Sequence, residues 1–299
     1  MCENHLDMVG WEGKRKLPPR QSSFRTVAVL IITPIVGLLG ILLWMFLLRF
    51  TGTPALVPAG KKRPVAAAAV IAPPRKVERH RGDIVLIIDD VGFDHQPMAA
   101  AMRIDPNVNF AVLPNSQRAA ETAANLHAHG FEVLCHLPME PEGFPRVSPG
   151  SGAVLTSMSN DEIARTTSAN VQEIPYARGV NNHMGSRATA DRRVMTYVLG
   201  ALPRGMYFID SRTTGSSVAA AVAHEMNVRT ASRNVFLDDV QNRQAIRNQL
   251  HALTRAAEEH GTAVGIGHMY PTTVEVLSEA APRLRSEGFR FVRASQAVR

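Results

Sequence analysis

Asp89 and Asp90 stand side by side at the end of an unbroken apolar run, residues 84–88. Two adjacent carboxylates repel, and burial alone would keep one of them protonated. A bound cation removes that cost; a helix N-cap role for Asp90 ahead of Val91 is the plainer alternative. The pattern recurs along the chain. Residues 132–135 run into His136, with Glu140 four residues on. Residues 177–180 run into Asn181, Asn182, His183 and, past Gly185, Ser186. Residues 207–209 run into Asp210, Ser211 and Arg212, and 263–266 into Gly267 and His268. Three Asp, three His, a Glu and an Arg are the inventory of a metal-assisted hydrolase. Oxygen and imidazole donors suit Zn²⁺ or a similar divalent transition ion better than Ca²⁺ or Mg²⁺ alone. With Asp90, His136 and His183 as ligands, Asp89 is left as general base and His268 as the acid for a leaving group. Arg212 would orient Asp210 or hold substrate, and Asn182, Ser186, Ser211 and Glu140 border the same rim. Another choice of ligands fits these residue types nearly as well. Asp210 also reads as a helix cap or a partner of Arg212, and Gly185-Ser186 as a turn.

These side chains meet only if the stretches before them are neighbouring strands. Five consecutive apolar residues bounded by charge and Gly read as a strand buried on both faces, as in parallel sheets covered by helices. In such sheets ligands sit at the carboxyl ends of the strands. Strands are expected at 84–88, 109–112, 132–135, 207–209, 263–266 and 289–292, with weaker candidates at 177–180 and 228–231. Helix signals separate them. A run from Asn115 or Ser116 to His129 is stopped by Gly130. Ser159 with Glu162, and Thr272 with Glu275, have capping-box spacing. Thr189 stands ahead of a helix over 191–202, and 241–260 reads as one long helix. Seven or eight strand–helix units in residues 82–299 predict an α/β fold, a complete or incomplete (β/α) barrel, with an open doubly wound sheet as the alternative. His95, His127, His129, His224, His251 and His260 fall away from strand ends and read as surface or structural residues.

The series Ile88-Asp89-Asp90-Val91-Gly92, His136-Leu137-Pro138-Met139-Glu140-Pro141, Asn181-Asn182-His183-Met184-Gly185-Ser186, Phe208-Ile209-Asp210-Ser211-Arg212-Thr213, Phe236-Leu237-Asp238 and Gly265-Ile266-Gly267-His268 resembles the divergent polysaccharide deacetylase family, which is related to NodB-type carbohydrate esterases. The six motifs occur in order across residues 82–299. The resemblance implies a distorted (β/α) barrel of about seven strands and metal-dependent removal of an acetyl group from a sugar amide. In NodB-type enzymes an Asp-Asp pair supplies the base and then a ligand, which falls on Asp89 and Asp90. A His-x-x-x-His motif supplies two more ligands, and here its positions hold His136 and Glu140. Either Glu140 is a ligand or His183 has taken that place. His183 is preferred, because Pro138 would bend the chain and turn Glu140 aside. His268 resembles the family's catalytic-acid histidine. The motif around Asp210 departs from the family's pattern, so the identity of the glycan does not carry over.

The rest of the chain reads as a means of delivery. Residues 27–48 carry no charge and are long enough to span a bilayer as a helix, with Trp44 and Phe50 near one end. The run is longer than a cleaved signal's core, so an uncleaved signal anchor is expected. Lys14, Arg15, Lys16, Arg20 and Arg25 precede it, which places residues 1–26 in the cytoplasm and the C-terminal domain outside, in the periplasm of a two-membrane bacterium. Residues 49–81, rich in Pro and Ala, read as an extended tether. The formal charge of +7 is uneven: Lys+Arg outnumber Asp+Glu 13 to 4 up to Arg81, but number 20 against 22 from Gly82 onward. The folded part lacks the excess of basic charge that nucleic-acid binding asks for. Cys2 and Cys135 would lie on opposite sides of the membrane, and Cys135 reads as a small buried apolar residue. The leading expectation is a membrane-anchored deacetylase acting on a glycan. The alternatives are a binding protein that kept the barrel and lost catalysis, and a metal-free glycosidase pairing Asp89 with Asp210.

Overall fold

The computed structural model describes residues 79–299. The expected cytoplasmic tail, membrane span and nearly all of the tether lie outside the described residues. Among those described, no helix is long and apolar enough to cross a membrane.

The strands are β1 (Gly82–Val91), β2 (Asn109–Val112), β3 (Glu132–Met139), β4 (Gly179–Met184), β5 (Tyr207–Asp210), β6 (Thr230–Ser232), β7 (Val235–Phe236), β8 (Thr262–His268) and β9 (Phe289–Phe291). The helices are α1 (Met98–Ala101), α2 (Ala119–Ala128), α3 (Asn160–Glu173), α4 (Arg192–Gly200), α5 (Ala219–Glu225), α6 (Arg243–His260), α7 (Pro271–Ser286) and α8 (Ala294–Ala297). Every strand pairing is parallel, in the order β6-β5-β4-β3-β2-β1-β8-β7, with β9 added to the lower half of β1. This is a parallel α/β half-barrel. The described residues hold nine strands where about seven were expected, for two reasons. β6 and β7 are halves of one segment that pairs first with β5 and then with β8. β9 shares an edge of β1 with β2, below it.

Alternation assigns the two faces. Val85 and Ile87 point inward, where they pack with Leu134, Tyr207, Ile209, Val264 and Ile266. Ile84, Leu86 and Ile88 point outward into the layer formed with the helices, which includes Leu126, Val198 and Leu253. All five are completely buried or nearly so. Each contributes roughly 1.5–3 kcal/mol by leaving water, so β1 is a firm base for the carboxylates at its end. The chain's own C-terminus seals the interior from below. Ala294 and Val298 join the inner cluster, Asn109 accepts the Ala294 N–H at 2.8 Å, and Glu132 accepts from Ser295 and from the Tyr207 hydroxyl at 2.7 Å.

Tyr207 fits because its neighbour across the ladder is Gly179; a Cβ there would lie 2.3 Å from the ring. Gly179→Ala is therefore expected to destabilise the domain by about 1–3 kcal/mol, the usual cost of overpacking, read as a lower midpoint in urea.

Helix boundaries follow their caps. The Ser159–Glu162 capping box forms at the start of α3. Asp191, not Thr189, caps α4, and Asn242 caps α6. α7 begins at Pro271 without the cap expected from Thr272, because Pro supplies the preset first turn. α2 starts at Ala119, later than Ser116 suggested.

Candidate metal and acid–base site

The strands overrun their expected ends. β3 continues to Met139 and β4 to Met184, so His136 and His183 belong to strands and obey their alternation. His136 lies on the inward face with Leu134, opposite Asn181 of β4, and His183, two residues further, shares that face. Asp89 is inward by the same rule and pairs in register with His268 of β8. Asp90 should face outward. The β1–β2 register shifts between Ile88 and Val91, and Asp90 takes a left-handed backbone with φ 56°. That irregularity turns its carboxylate to the same side as Asp89. Non-glycine residues in this region cost on the order of 1 kcal/mol or more, which the fixed strand on either side enforces.

Three atoms converge. Asp90 Oδ1 lies 3.2 Å from His136 Nε2 and 3.0 Å from His183 Nδ1, and the two nitrogens are 3.2 Å apart. Among the described residues this is the one group of three or more acidic, His or Cys side chains placed to hold a metal ion. Ligands about 2.0–2.1 Å from a tetrahedral zinc are spaced by roughly 3.3 Å, close to this triangle. Asp90 Oδ1 is buried and has no aligned hydrogen bond, although both imidazoles are within coulombic reach. A cation satisfies all three atoms together. Burial pushes the Asp90 carboxyl up, but the two imidazoles outweigh it and hold the group well below the usual carboxylate range.

Asn181 sets the proton inventory. The Asp89 carboxylate can only accept, so the Asn181 amide nitrogen faces it, donating to Oδ1 at 2.9 Å. The Asn181 oxygen is then left for His136 Nδ1, also at 2.9 Å. His136 must donate there, so its neutral form aims the Nε2 lone pair at the triangle. Asp89 is buried, and that burial raises its pKa despite the nearby His136 and His268 imidazoles. His136 is pulled down by burial but raised overall by Asp89 and Asp90.

His268 stands across from Asp90, with Nε2 3.9 Å from Oδ2. Its Nδ1 meets Asp238 Oδ1 at 2.9 Å, and Asp238 Oδ2 accepts the His268 N–H and the Thr273 hydroxyl, each at 2.7 Å. Burial disfavours the imidazolium, yet Asp238, Asp89 and Asp90 outweigh it and the pKa rises to about 9. Phe236 stacks on one side of the ring, and Tyr270 lies against it. A histidine raised in this way stabilises the fold fully below its ordinary pKa of 6.5, and that contribution is lost as pH rises through about 9. In the metal-free protein, NMR titration of His268 is expected to show this elevated pKa. Asp238→Asn should lower it and remove the loss of thermal stability over that same pH window.

The remaining expected site residues do other work. Glu140 lies outside the triangle. Its Oε1 pairs with Arg187 at 2.8 Å and its Oε2 accepts from Thr156 N and Oγ1, so it clamps the loop after β3. Asn182 faces away from Asn181 and braces two turns, accepting from Ser211 N at 2.9 Å and donating to Met184 O. Asp210 points outward by alternation, and its oxygens accept from Arg212 N and the Ser217 hydroxyl, each at 2.8 Å. It therefore closes a turn. Arg212 serves it through its backbone, while its side chain is exposed. Ser186 accepts from Glu142 N at 2.9 Å. Ser211 Oγ lies 3.4 Å from the Asn181 amide, at the margin of the site.

Three contributors had no role in the sequence reading: Asn181, Asp238 and Arg233. Asn181 was findable, standing two residues before His183 on one strand face. Asp238 follows a strand of two residues, too short to show a period. Arg233 donates to Ser211 O at 2.6 Å and to Arg212 O, and lies over the Phe236 ring at 4.5 Å; burial lowers its pKa. No sequence signal marks it.

A parallel half-barrel with an Asp–His–His triangle, a buried carboxylate and an Asp-held histidine at its strand ends is the class of site found here. The chain belongs to the divergent polysaccharide deacetylase family, whose profile matches residues 86–298. It is similar to YibQ of Escherichia coli K12, an uncharacterised protein, at 38% identity over 199 residues, 66% of this chain and 62% of that one. It thus spans a little under two thirds of that relative's length. An uncharacterised protein of Haemophilus influenzae Rd is 35% identical over 195 residues, 65% of this chain and 69% of its own. Among solved structures, an uncharacterised protein of Agrobacterium tumefaciens C58 shares the fold with a TM-score of 0.69 at 20% identity, covering 74% of this chain and 90% of that one.

Proposed function

We propose that this chain is a membrane-anchored, envelope-facing hydrolase that uses a divalent ion, Zn²⁺ or a similar transition metal, to remove acetyl groups from a glycan, N-acetyl foremost and O-acetyl as the variant. The observation that carries the reading is the triangle of Asp90, His136 and His183 with Asp89 and His268 on either side of it. Anchoring is supported by the uncharged residues 27–48 and the basic residues before them.

The bound ion would activate water and polarise the acetyl carbonyl. Asp89, buried and with its pKa raised, is placed to take a proton from the attacking water. Asn181 holds Asp89 and His136 in one fixed relation. His268, kept protonated by Asp238, is placed to give its proton to the departing amine nitrogen. Acetate and a free amine are the products. Phe236 and Tyr270 pack against the His268 ring, and Asp238 on Nδ1 leaves Nε2 to face Asp90.

The purified full chain, loaded in turn with Zn²⁺, Co²⁺ and Ni²⁺, is expected to release acetate from N-acetylated glycan oligomers and to leave a new primary amine. Release of reducing ends without acetate would point instead to a glycosidase. Stoichiometric metal with no acetate from any acetylated glycan would leave a binding protein.

A further inference from the structure

We infer that the end of the barrel opposite the site is a docking face for an anionic lipid bilayer. The inference rests on the proposed anchoring and deepens it. In a parallel sheet all the connections that lead from helices back into strands lie at one end. Here they carry Arg103 before β2, Arg178 before β4, Arg204 before β5 and Arg229 before β6, all exposed. Arg293 joins them, because its guanidinium donates to Gly130 O, just before β3, at 2.8 Å. Among the described residues none of these five is in an ion pair. The carboxylates in the same connections, Asp105 and Glu287, are already paired, with Arg285 at 2.6 Å and with Arg283 at 3.0 Å. Asp83, at the foot of β1, is held by Arg290. The domain from Gly82 onward has slightly more acids than bases, so this end is basic by arrangement and not by excess.

Three further observations select a membrane as the occupant. The chain enters the barrel at this end, through Arg79 and through Arg81, which pairs with Glu258 and Glu287, after residues that include Lys61, Lys62, Arg63, Arg75 and Lys76. Tyr176, 56% exposed, stacks flat on His127 at 4.0 Å beside Arg178, the kind of amphipathic ring that settles at a lipid headgroup level. The carboxylates and imidazoles of the site lie at the opposite end, so a bilayer here leaves the catalytic mouth open to a polymer substrate. Arginines close to an anionic surface attract it, and salt screens the attraction within a Debye length.

The test uses the full chain reconstituted into vesicles of phosphatidylcholine alone or mixed with phosphatidylglycerol. In a Cys2→Ser background, a fluorophore is placed at Pro203→Cys on the basic end or at Val240→Cys on the other, and quenching by headgroup nitroxide lipid is read. Quenching at Pro203 is expected only with phosphatidylglycerol, and should be relieved by high salt, with Val240 dark to quencher throughout. Arg103→Gln, Arg178→Gln and Arg229→Gln together should weaken the docked state on the order of a hundredfold. Quenching at Pro203 that ignores lipid charge, or equal quenching at Val240, overturns the inference. So does salt-sensitive binding to an anionic polymer such as heparin with no response to phosphatidylglycerol. Carbonate extraction reads the anchor separately: a chain released by alkali has no membrane span, whatever its basic end binds in vesicle flotation.

Discussion

On the proposed mechanism, His183→Ala is expected to abolish divalent-ion binding and to lower acetate release on the order of a thousandfold. The reason is the triangle: with one corner removed, Asp90 Oδ1 and His136 Nε2 remain 3.2 Å apart, but two donors hold an ion far less tightly than three. Loss of an outer partner alone costs about 10–100-fold in metal affinity, and loss of a ligand should exceed that. His183 is the corner to remove because its side chain is partly exposed, 16%, against 2% for His136. His136→Ala should show the same metal loss together with a lower melting temperature, since it strands Asp89 and Asp90 in each other's field. Elemental analysis and the melting shift on adding Zn²⁺ check both. Wild type at a hundred times the dissociation constant should gain about 2.7 kcal/mol, and His183→Ala should gain almost nothing. A variant that keeps full metal and full turnover would end the three-ligand assignment.

Asp89→Asn is expected to separate catalysis from stability in the opposite sense. Turnover should fall about 10²–10⁴-fold, the range for a lost general base, while metal stays bound through the other three side chains. The fold should become more stable at neutral pH. Asp89 is a carboxyl whose folded-state pKa is raised by burial. It is most compatible with folding when protonated, at pH below its unfolded value, and burial penalises it increasingly as pH rises through the folded value. Asparagine, neutral and nearly isosteric, can still accept from Asn181 and carries no such penalty. Lower activity with a higher melting temperature at pH 7, and a smaller difference at pH 3, is the expected signature. An active Asp89→Asn protein would exclude Asp89 as the base.

Much of this was legible in the sequence because burial on two faces leaves a plain mark. The apolar run of β1 predicted a parallel sheet, and the polar residues after each run predicted where function would gather. What the runs did not show was where strands stop. Polar residues such as His136 and Asn181 continue β3 and β4 inside the barrel, and reading them as strand ends hid their alternation. With alternation in hand, Asn181 is selected over Asn182 and Asp210 turns away from the site. Asp90 breaks the same rule, and only the irregular register explains why it joins Asp89. The two-residue β7 offers no period at all, so Asp238 and Arg233 could not be placed from their neighbours.

The split strand has a consequence for motion. Thr230–Ser232 and Val235–Phe236 pair with different partners, so no continuous ladder crosses that side of the barrel. Amides there are held by few neighbours, whereas those of β1 are held by strands on both edges, and opening should begin where protection is thinnest. Phe236, Asp238 and Arg233 all ride on that segment and its flanks. His268, the proposed proton donor, is thus supported from the side best able to breathe, while the triangle of Asp90, His136 and His183 is mounted on the rigid one. Thermal loosening should reach acid catalysis before it reaches metal retention.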